Sequence, residues 1–230
     1  MSFGRSRVRA RTHRLIASRF PTVGVFEDIA SDAEELRVAF LLENLTNARS
    51  QHRLAQLPDG ELVGGATGSI VMAAFLHCSD EGGRFNDSDL GAWYASTDLA
   101  TAMDETVHHH ERRLRASAAG FPAKIQMREL VVRFNAELLD LRGAQAARRD
   151  LYDPANYAAS QAFAREVRWP FAEPGEDGLV FDSVRRAGGV NVCIFRPRAL
   201  STPVAQADHY EYIWDAGGEL TIVKLSLVKR

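Results

Sequence analysis

The spacing of apolar residues changes along this chain, from a helical period in its first half to a strand period in its second. Apolar side chains recur every three or four residues over 31–49 and 96–117, which predicts two long helices. They alternate with other side chains over 124–141, which predicts one or two strands. Helices followed by strands, without regular βαβ alternation, are typical of an α+β domain.

Shorter segments complete the expected order of elements. Ser31 followed by Glu34 forms a capping box at the start of the first helix. We expect the second long helix to begin at Ser96 or Thr97. The remaining segments are a buried apolar run at 70–76, a helix at 157–168, and strands at 179–181, 190–195, 210–214 and 220–228. With 230 residues, the sequence predicts a single α+β domain of mixed or antiparallel sheets flanked by helices.

Composition excludes several classes of protein. Hydrophobic residues make up 46% of the chain, which is typical of a globular protein and not of a disordered one. The longest apolar run, 70–76, is far shorter than the roughly 20 residues that cross a bilayer. The first residues lack the apolar segment of a secretory signal, so we expect a cytoplasmic protein. Cys78 and Cys193 lie among apolar neighbours and are expected to be reduced thiols.

The first fourteen residues carry a cluster of positive charge. They contain five arginines and no acidic residue, in a chain whose net charge is −2. We expect residues 1–12 to form a flexible basic arm and residues 13–230 to form the folded domain. Such an arm is able to contact nucleic acid or an acidic protein, or to remain solvated.

Common catalytic motifs are missing from the sequence. It has neither a phosphate-binding P-loop, nor a dinucleotide-binding glycine motif, nor a nucleophile elbow. The run His108 to His110 suggests a metal site, but consecutive residues of a helix point about 100° apart. They cannot converge on one ion, and we predict no metal site.

The segment 82–105 holds the residues best suited to bind an anionic ligand. Arg84 follows two glycines, which allow the backbone to approach a ligand while the guanidinium grips a phosphate or carboxylate. Tyr94 is able to stack on a flat ring. Glu105 lies off the apolar stripe of its helix and faces a cleft or solvent. A surface turn, a core aromatic and a solvated carboxylate are the alternatives for these three residues.

Five sequence blocks, in order and at matching spacing, resemble the RES-domain family. They are GGRFN at 82–86, WYAS at 93–96, the helix containing ETVHH, YAASQ at 157–161, and DGLVFDSVRRAGGVNVCIFRP at 177–197. The resemblance extends from about residue 13 to about residue 215. It implies a fold similar to that of ADP-ribosyltransferase toxins.

The same resemblance implies a function and its residues. Family members supply the toxin of Res-Xre toxin–antitoxin systems and cleave the nicotinamide–ribose bond of NAD by hydrolysis or phosphorolysis, while some modify a protein. The implied site residues are Arg84, Tyr94, Glu105 and Ser183, with Arg14 near the pocket. NAD is then a substrate and no cofactor is expected. The implied partner is an Xre-type antitoxin, through which the protein reaches nucleic acid only indirectly; phosphate as co-substrate and a homodimer are left open.

These residue types suit that chemistry. Cleavage makes a cationic centre at the ribose, which the carboxylate of Glu105 would stabilise. Arg84 and Arg14 would hold the pyrophosphate, Tyr94 would stack on the nicotinamide, and Ser183 would bind the carboxamide or a phosphate. Two alternatives remain: an ADP-ribosyltransferase that modifies a protein, and a nucleic-acid-binding module that uses the basic arm.

Overall fold

A computed structural model describes residues 3–18, 26, 30, 32–43, 48–58 and 60–226. The helices and strands in these ranges are β1 (Arg5–Ala17), α1 (Ala33–Glu43), α2 (Ala48–Ala55), α3 (Gly68–Leu76), β2 (Trp93–Ser96), α4 (Leu99–Ala116), β3 (Ala123–Asp140), α5 (Ala158–Val167), β4 (Gly178–Asp182), β5 (Val190–Ile194), β6 (Ala205–Trp214) and β7 (Leu220–Leu225). Within the same ranges, no helix has the length and apolar character needed to span a membrane.

The seven strands form one mixed sheet that closes on itself at one end. The strand order is β1-β2-β5-β4-β3-β6-β7, and β1 also pairs with β3. Strands β1, β2, β5, β4 and β3 therefore form a closed circuit of pairings, from which β6 and β7 extend. The β3–β4 pair is parallel, and the other pairs are antiparallel. The predicted single α+β domain with a mixed sheet and flanking helices is confirmed.

The predicted flexible arm over residues 1–12 is wrong, because residues 5–12 belong to β1. The strand pairs with β3 along its whole length, from Arg5 opposite Leu139 to Ala17 opposite Met127. Its arginines alternate with smaller side chains, and on the opposite face Val8 is buried. Alternation of arginine with smaller residues is typical of a strand, but the high density of positive charge favoured the prediction of a flexible arm instead.

The N-terminal helix boundaries differ from those predicted. The segment 31–49 contains two helices, since α1 ends at Glu43 and α2 begins at Ala48. Ser31 of the predicted capping box lies outside the described residues. Asp32 Oδ1 accepts hydrogen bonds from the backbone N–H groups of Glu34 and Glu35 in the first turn of α1. Helix α4 begins at Leu99, after an Asp98 cap that accepts from the backbone N–H of Thr101. The expected cap at residue 96 or 97 is wrong because residue 96 still belongs to β2.

Three apolar clusters hold the helices on the sheet. Helices α1 to α3 pack on the largest cluster, which includes Phe75 and Trp93. Helix α5 packs over β4 and β5, and α4 packs on β3 and β6 through a cluster that includes Tyr212. Both cysteines are free thiols, as predicted, with Cys193 buried and Cys78 half-buried. Helices α4 and α5 therefore frame the strands that carry the site residues.

Candidate active site

The loop that carries Arg84 requires its two glycines. Gly82 has a φ of +68°, in the left-handed region, and a Cβ there would collide with the carbonyl oxygen of Asn86. A Cβ on Gly83 would lie 2.8 Å from the hydroxyl of Tyr94. The backbone N–H of Gly83 donates to the carbonyl of Asn86 at 2.8 Å and closes the loop. The sequence GGRFN thus encodes a tight turn that fixes the position of Arg84.

Helix α5 anchors this glycine loop. The carboxamide Nε2 of Gln161 donates to the carbonyl oxygens of Glu81 and Gly83, both at 2.9 Å, and lies 3.2 Å from that of Asn86. The Gln161 side chain therefore contacts three backbone carbonyl groups on the inner side of the loop. Gln161 closes the YAASQ block, so two blocks of the sequence motif meet here.

Arg84 is a buried cation with backbone partners. Its side chain is 8% exposed, and Nη1 donates to the carbonyls of Leu151 at 3.1 Å and Asp153 at 2.7 Å. The guanidinium carbon lies 4.7 Å from the ring centroid of Tyr157. Burial lowers the pKa of Arg84, and the neighbouring Arg185 lowers it further. No carboxylate among the described residues forms an ion pair with Arg84, so an anionic ligand would find this cation without a competing carboxylate.

Tyr94 uses its hydroxyl to hold the glycine loop. The hydroxyl accepts from the backbone N–H of Phe85 at 2.8 Å and donates to Oδ1 of Asn86 at 2.9 Å. Burial raises the pKa of Tyr94 well above the ordinary value of tyrosine. The hydroxyl is therefore held as a neutral donor that positions the residues on either side of it.

Glu105 projects from α4 into a hydrogen-bonded network. Its Oε1 accepts from Ser183 Oγ and from Asn191 Nδ2, both at 2.7 Å. Asn191 in turn accepts from Ser96 Oγ at 2.6 Å, directly across the β2–β5 pair. Among the described residues, no donor reaches the second oxygen, Oε2. The network fixes the carboxylate through one oxygen and leaves the other for a ligand.

Ser183 joins Glu105 to the loop between β4 and β5. Its Oγ accepts from the backbone N–H groups of Arg185 at 3.0 Å and Arg186 at 3.1 Å while it donates to Glu105. The side chain of Arg186 also bridges to Asp104 at 2.9 Å. These contacts hold the loop against α4 and bring the positive charge of Arg185 close to Arg84.

The outer side of the site is basic. Arg185 donates to the carbonyl oxygen of Pro154, which lies next to the segment that holds Arg84. The pKa of His108, one turn along α4 from Glu105, is lowered by burial and then by the charge of Arg185. Arg84, Arg185 and the carboxylate of Glu105 are therefore the main charged groups of this site.

Four of the five predicted site residues lie around one location. Glu105 and Ser183 are in direct contact, the hydroxyl of Tyr94 contacts the glycine loop that carries Arg84, and the charge of Glu105 acts on Arg84. The fifth, Arg14 on β1, contacts this group through Tyr94: its Nη1 donates to the carbonyl of Tyr94 at 2.9 Å, and its guanidinium lies over the ring of Trp93. Burial lowers the pKa of Arg14 to about 10.

Sequence reasoning missed four residues of the site. Asn191 was the one polar residue within the apolar strand 190–194, a signal that was available but not used. Tyr157 and Gln161 lay in a recognised block without an assigned role. Arg185 had no distinguishing pattern. In the described part of the chain, no group of three or more His, Cys, Asp or Glu side chains is placed to hold a metal ion.

The fold and this site define an α+β protein in which a buried arginine on a glycine loop and a hydrogen-bonded glutamate interact electrostatically. The chain belongs to the RES domain family, which matches residues 63–215. The family predicted from the sequence blocks is therefore confirmed.

Two known proteins are similar over most of the chain. The uncharacterized protein y4oC of Sinorhizobium fredii (strain NBRC 101917 / NGR234) is 25% identical over 218 residues, which cover 90% of this chain and 84% of that protein. A chain in the crystal structure of the M. tuberculosis MbcT–MbcA toxin–antitoxin complex aligns with a TM-score of 0.46 and 15% identity. That alignment covers 90% of this chain and 86% of the other.

Proposed function

We propose that this protein is the toxin of a toxin–antitoxin pair and an enzyme that cleaves the nicotinamide–ribose bond of NAD. The observation that carries the proposal is the hydrogen bonding of the Glu105 carboxylate, in which the described residues donate to only one of the two oxygens. Ser183 and Asn191 hold its Oε1, while Oε2 receives no hydrogen bond from the described residues. A carboxylate fixed in this way is preorganised to stabilise positive charge that develops at a ribose carbon.

Arg84 supplies the second part of the chemistry. NAD carries a pyrophosphate, and a guanidinium binds phosphate oxygens through charge-assisted hydrogen bonds. The guanidinium of Arg84 is buried, is fixed by two carbonyls and a ring, and has no carboxylate partner among the described residues. Phosphate binding would compensate the cost of burying this cation.

The reaction follows from these two groups. As the bond breaks, nicotinamide leaves with the bonding electrons, and the ribose carbon becomes cationic beside Glu105. An oxygen of water or of inorganic phosphate then bonds to that carbon and loses its proton. If a protein side chain is the acceptor instead, the product is an ADP-ribosylated protein.

The partner and the remaining residues complete the proposal. An enzyme that consumes NAD has to be silenced in its own cell, and family membership supports an Xre-type antitoxin as the inhibitor. NAD is the substrate, and no metal or cofactor takes part. Tyr94 and Ser183 act as positioning residues, because their hydroxyls hold the glycine loop and Glu105.

The test is product analysis with purified protein and NAD, in excess EDTA, with and without inorganic phosphate. We expect nicotinamide release, with ADP-ribose as the second product if water is the acceptor and ADP-ribose 1-phosphate if phosphate is. Glu105→Gln should lower the turnover number by about 100-fold or more, with a much smaller change in NAD affinity. Glu43→Gln, on an exposed position of α1, is the matched control and should behave as wild type.

Two results would overturn the proposal. One is a folded Glu105→Gln protein that turns over NAD at the wild-type rate. The other is a wild-type protein that releases no nicotinamide, either alone or with candidate acceptor proteins.

A further inference from the structure

The outer surface of the β1–β3 pair carries an unusual concentration of arginine. Arg7, Arg9 and Arg11 of β1 are exposed on the same face as Arg133 of β3. We call these four residues the arginine face. Alternate residues of a strand lie about 7 Å apart, so three of the charges form a regular row.

Three of these arginines have no partner in the described structure. Arg7 donates from Nε to Oδ1 of Asn135 at 3.0 Å. Arg9, Arg11 and Arg133 form no hydrogen bond or ion pair with a described residue. Other exposed arginines do have carboxylate partners, including Arg49 with Asp80 and Arg112 with Glu81. Arg5, at the end of the same strand, bridges to Glu176 at 2.6 Å.

The arrangement costs the fold stability. Arg11 lies directly opposite Arg133 in the antiparallel register, and like charges at opposed positions repel. The whole chain has a net charge of −2, so this positive surface stands on an otherwise acidic protein. Packing does not require arginine here, because the side chains point away from the core. Binding of a negatively charged ligand to the arginine face would account for the presence of arginine at these positions.

We propose that the arginine face binds an acidic segment of a partner polypeptide in an extended conformation. Such a segment presents alternate side chains at the same repeat of about 7 Å, so successive carboxylates would meet successive arginines of β1. This inference concerns a surface that is separate from the candidate active site and does not depend on the proposed function.

Two features favour a polypeptide over nucleic acid. Glu137 lies on the same face opposite Arg7, so the positive charge without a partner among the described residues is limited to Arg9, Arg11 and Arg133, which suits a short acidic segment better than a continuous phosphate backbone. None of the outward residues of β1 and β3 beside the arginines is aromatic, so nucleic-acid bases would find no stacking platform. A long duplex would also extend over the acidic remainder of the protein.

The test uses the full-length protein and a fluorescein-labelled peptide of four Glu-Thr repeats, with four Gln-Thr repeats as the neutral probe. Fluorescence anisotropy at low ionic strength should show binding of the acidic probe only, weakening as salt is added. The variant with Arg9→Ser, Arg11→Ser and Arg133→Ser should lose about tenfold in affinity. The control variant with Arg49→Ser, Arg112→Ser and Arg115→Ser carries the same net charge and should change by less than twofold.

A separate measurement guards against misfolding. Removal of the Arg11–Arg133 repulsion should leave the thermal midpoint of the first variant equal to or above that of wild type. If the triple variant does not fold, the peptide affinity of the double variant Arg9→Ser, Arg11→Ser should be compared with that of wild type instead. An equal loss in the test and control variants, tighter binding of a DNA duplex than of the acidic peptide, or no binding by wild type would each overturn the proposal.

Discussion

Asn191 connects the sheet to the carboxylate of Glu105. It accepts from Ser96 and donates to Glu105, so its amide orientation is set by two partners on different elements. The side-chain amide supplies both the acceptor and the donor that this position needs. Asn191 is therefore a positioning residue for the site.

Asn191→Asp is expected to lower NAD turnover and to shift its pH dependence. The aspartate keeps the shape of the side chain and the acceptor for Ser96, but it cannot donate to Glu105 and places a second carboxylate beside it. Two carboxylates at this distance raise the pKa of one of them. Turnover at pH 7 should fall at least about tenfold, and the acid limb of the pH–rate profile should move to higher pH.

The matched comparison is Asn191→Ala. It loses the same donor without adding a charge, so turnover should fall and the acid limb should move to higher pH by clearly less than in the aspartate variant. An aspartate variant with the wild-type pH profile would contradict this account of Glu105.

At the scale of elements, the site depends on one contact between α5 and the glycine loop. Gln161 is the only α5 side chain that reaches the inner carbonyls of residues 81–86 in the described structure. Arg84 occupies the middle of that loop. The helix therefore controls where the guanidinium lies, although it supplies no group for the chemistry itself.

Gln161→Ala is expected to weaken NAD binding more than catalysis. Without the carboxamide, the loop carbonyls lose their donor and Arg84 loses its fixed position, while Glu105 on α4 is unaffected. The KM for NAD should rise about tenfold with kcat within about threefold. Steady-state kinetics would measure both, with the exposed Gln51→Ala on α2 as the control. A fall in kcat at unchanged KM would show that the loop does not act through binding.

For the molecule as a whole, buried tyrosines, Tyr152 and Tyr212 among them, link stability to alkaline pH. Tyr152 donates to the carbonyl of Leu141 at 2.6 Å, and Tyr212 is fully buried and lies 3.0 Å from the hydroxyl of Thr106. Burial raises the pKa of each hydroxyl to about 12. The folded state therefore retains protons that the unfolded chain releases near pH 10.

We expect stability to be unaffected by these groups below about pH 10 and to decrease as the pH rises from about 10 to 12. The loss should be on the order of 2 kcal/mol for each tyrosine by pH 12. Urea unfolding at a series of pH values would measure it. Tyr152→Phe, which has no hydroxyl to ionise, should show a shallower decrease than wild type. An identical pH dependence for both proteins would contradict the assignment to Tyr152.

The sequence predicted the elements that carry a local signal and missed those whose signal is not local. Helix α4 and strand β3 follow directly from the spacing of their apolar residues. Strand β2 has only four residues, too few for a period to be recognised. Strand β1 has a clear alternation that its arginines obscured.

The same distinction applies to the site. Arg84, Glu105 and Ser183 were assigned through sequence blocks, but their mutual geometry depends on pairings between distant strands. The role of Asn191 follows from the β2–β5 register, which places it opposite Ser96. No local pattern specifies such a register, because it is set by the packing of the whole sheet.

The closed circuit of strands has a consequence for the order in which the protein forms during translation. Strand β1 leaves the ribosome before β3, and each of its pairings with β3 joins residues more than 100 positions apart. The circuit closes only after β5, at residues 190–194, has been made. A nascent chain thus holds β1 without its main partner until β3, at residues 123–140, has been made. The network around Glu105 is assembled among the last, when translation has passed Asn191.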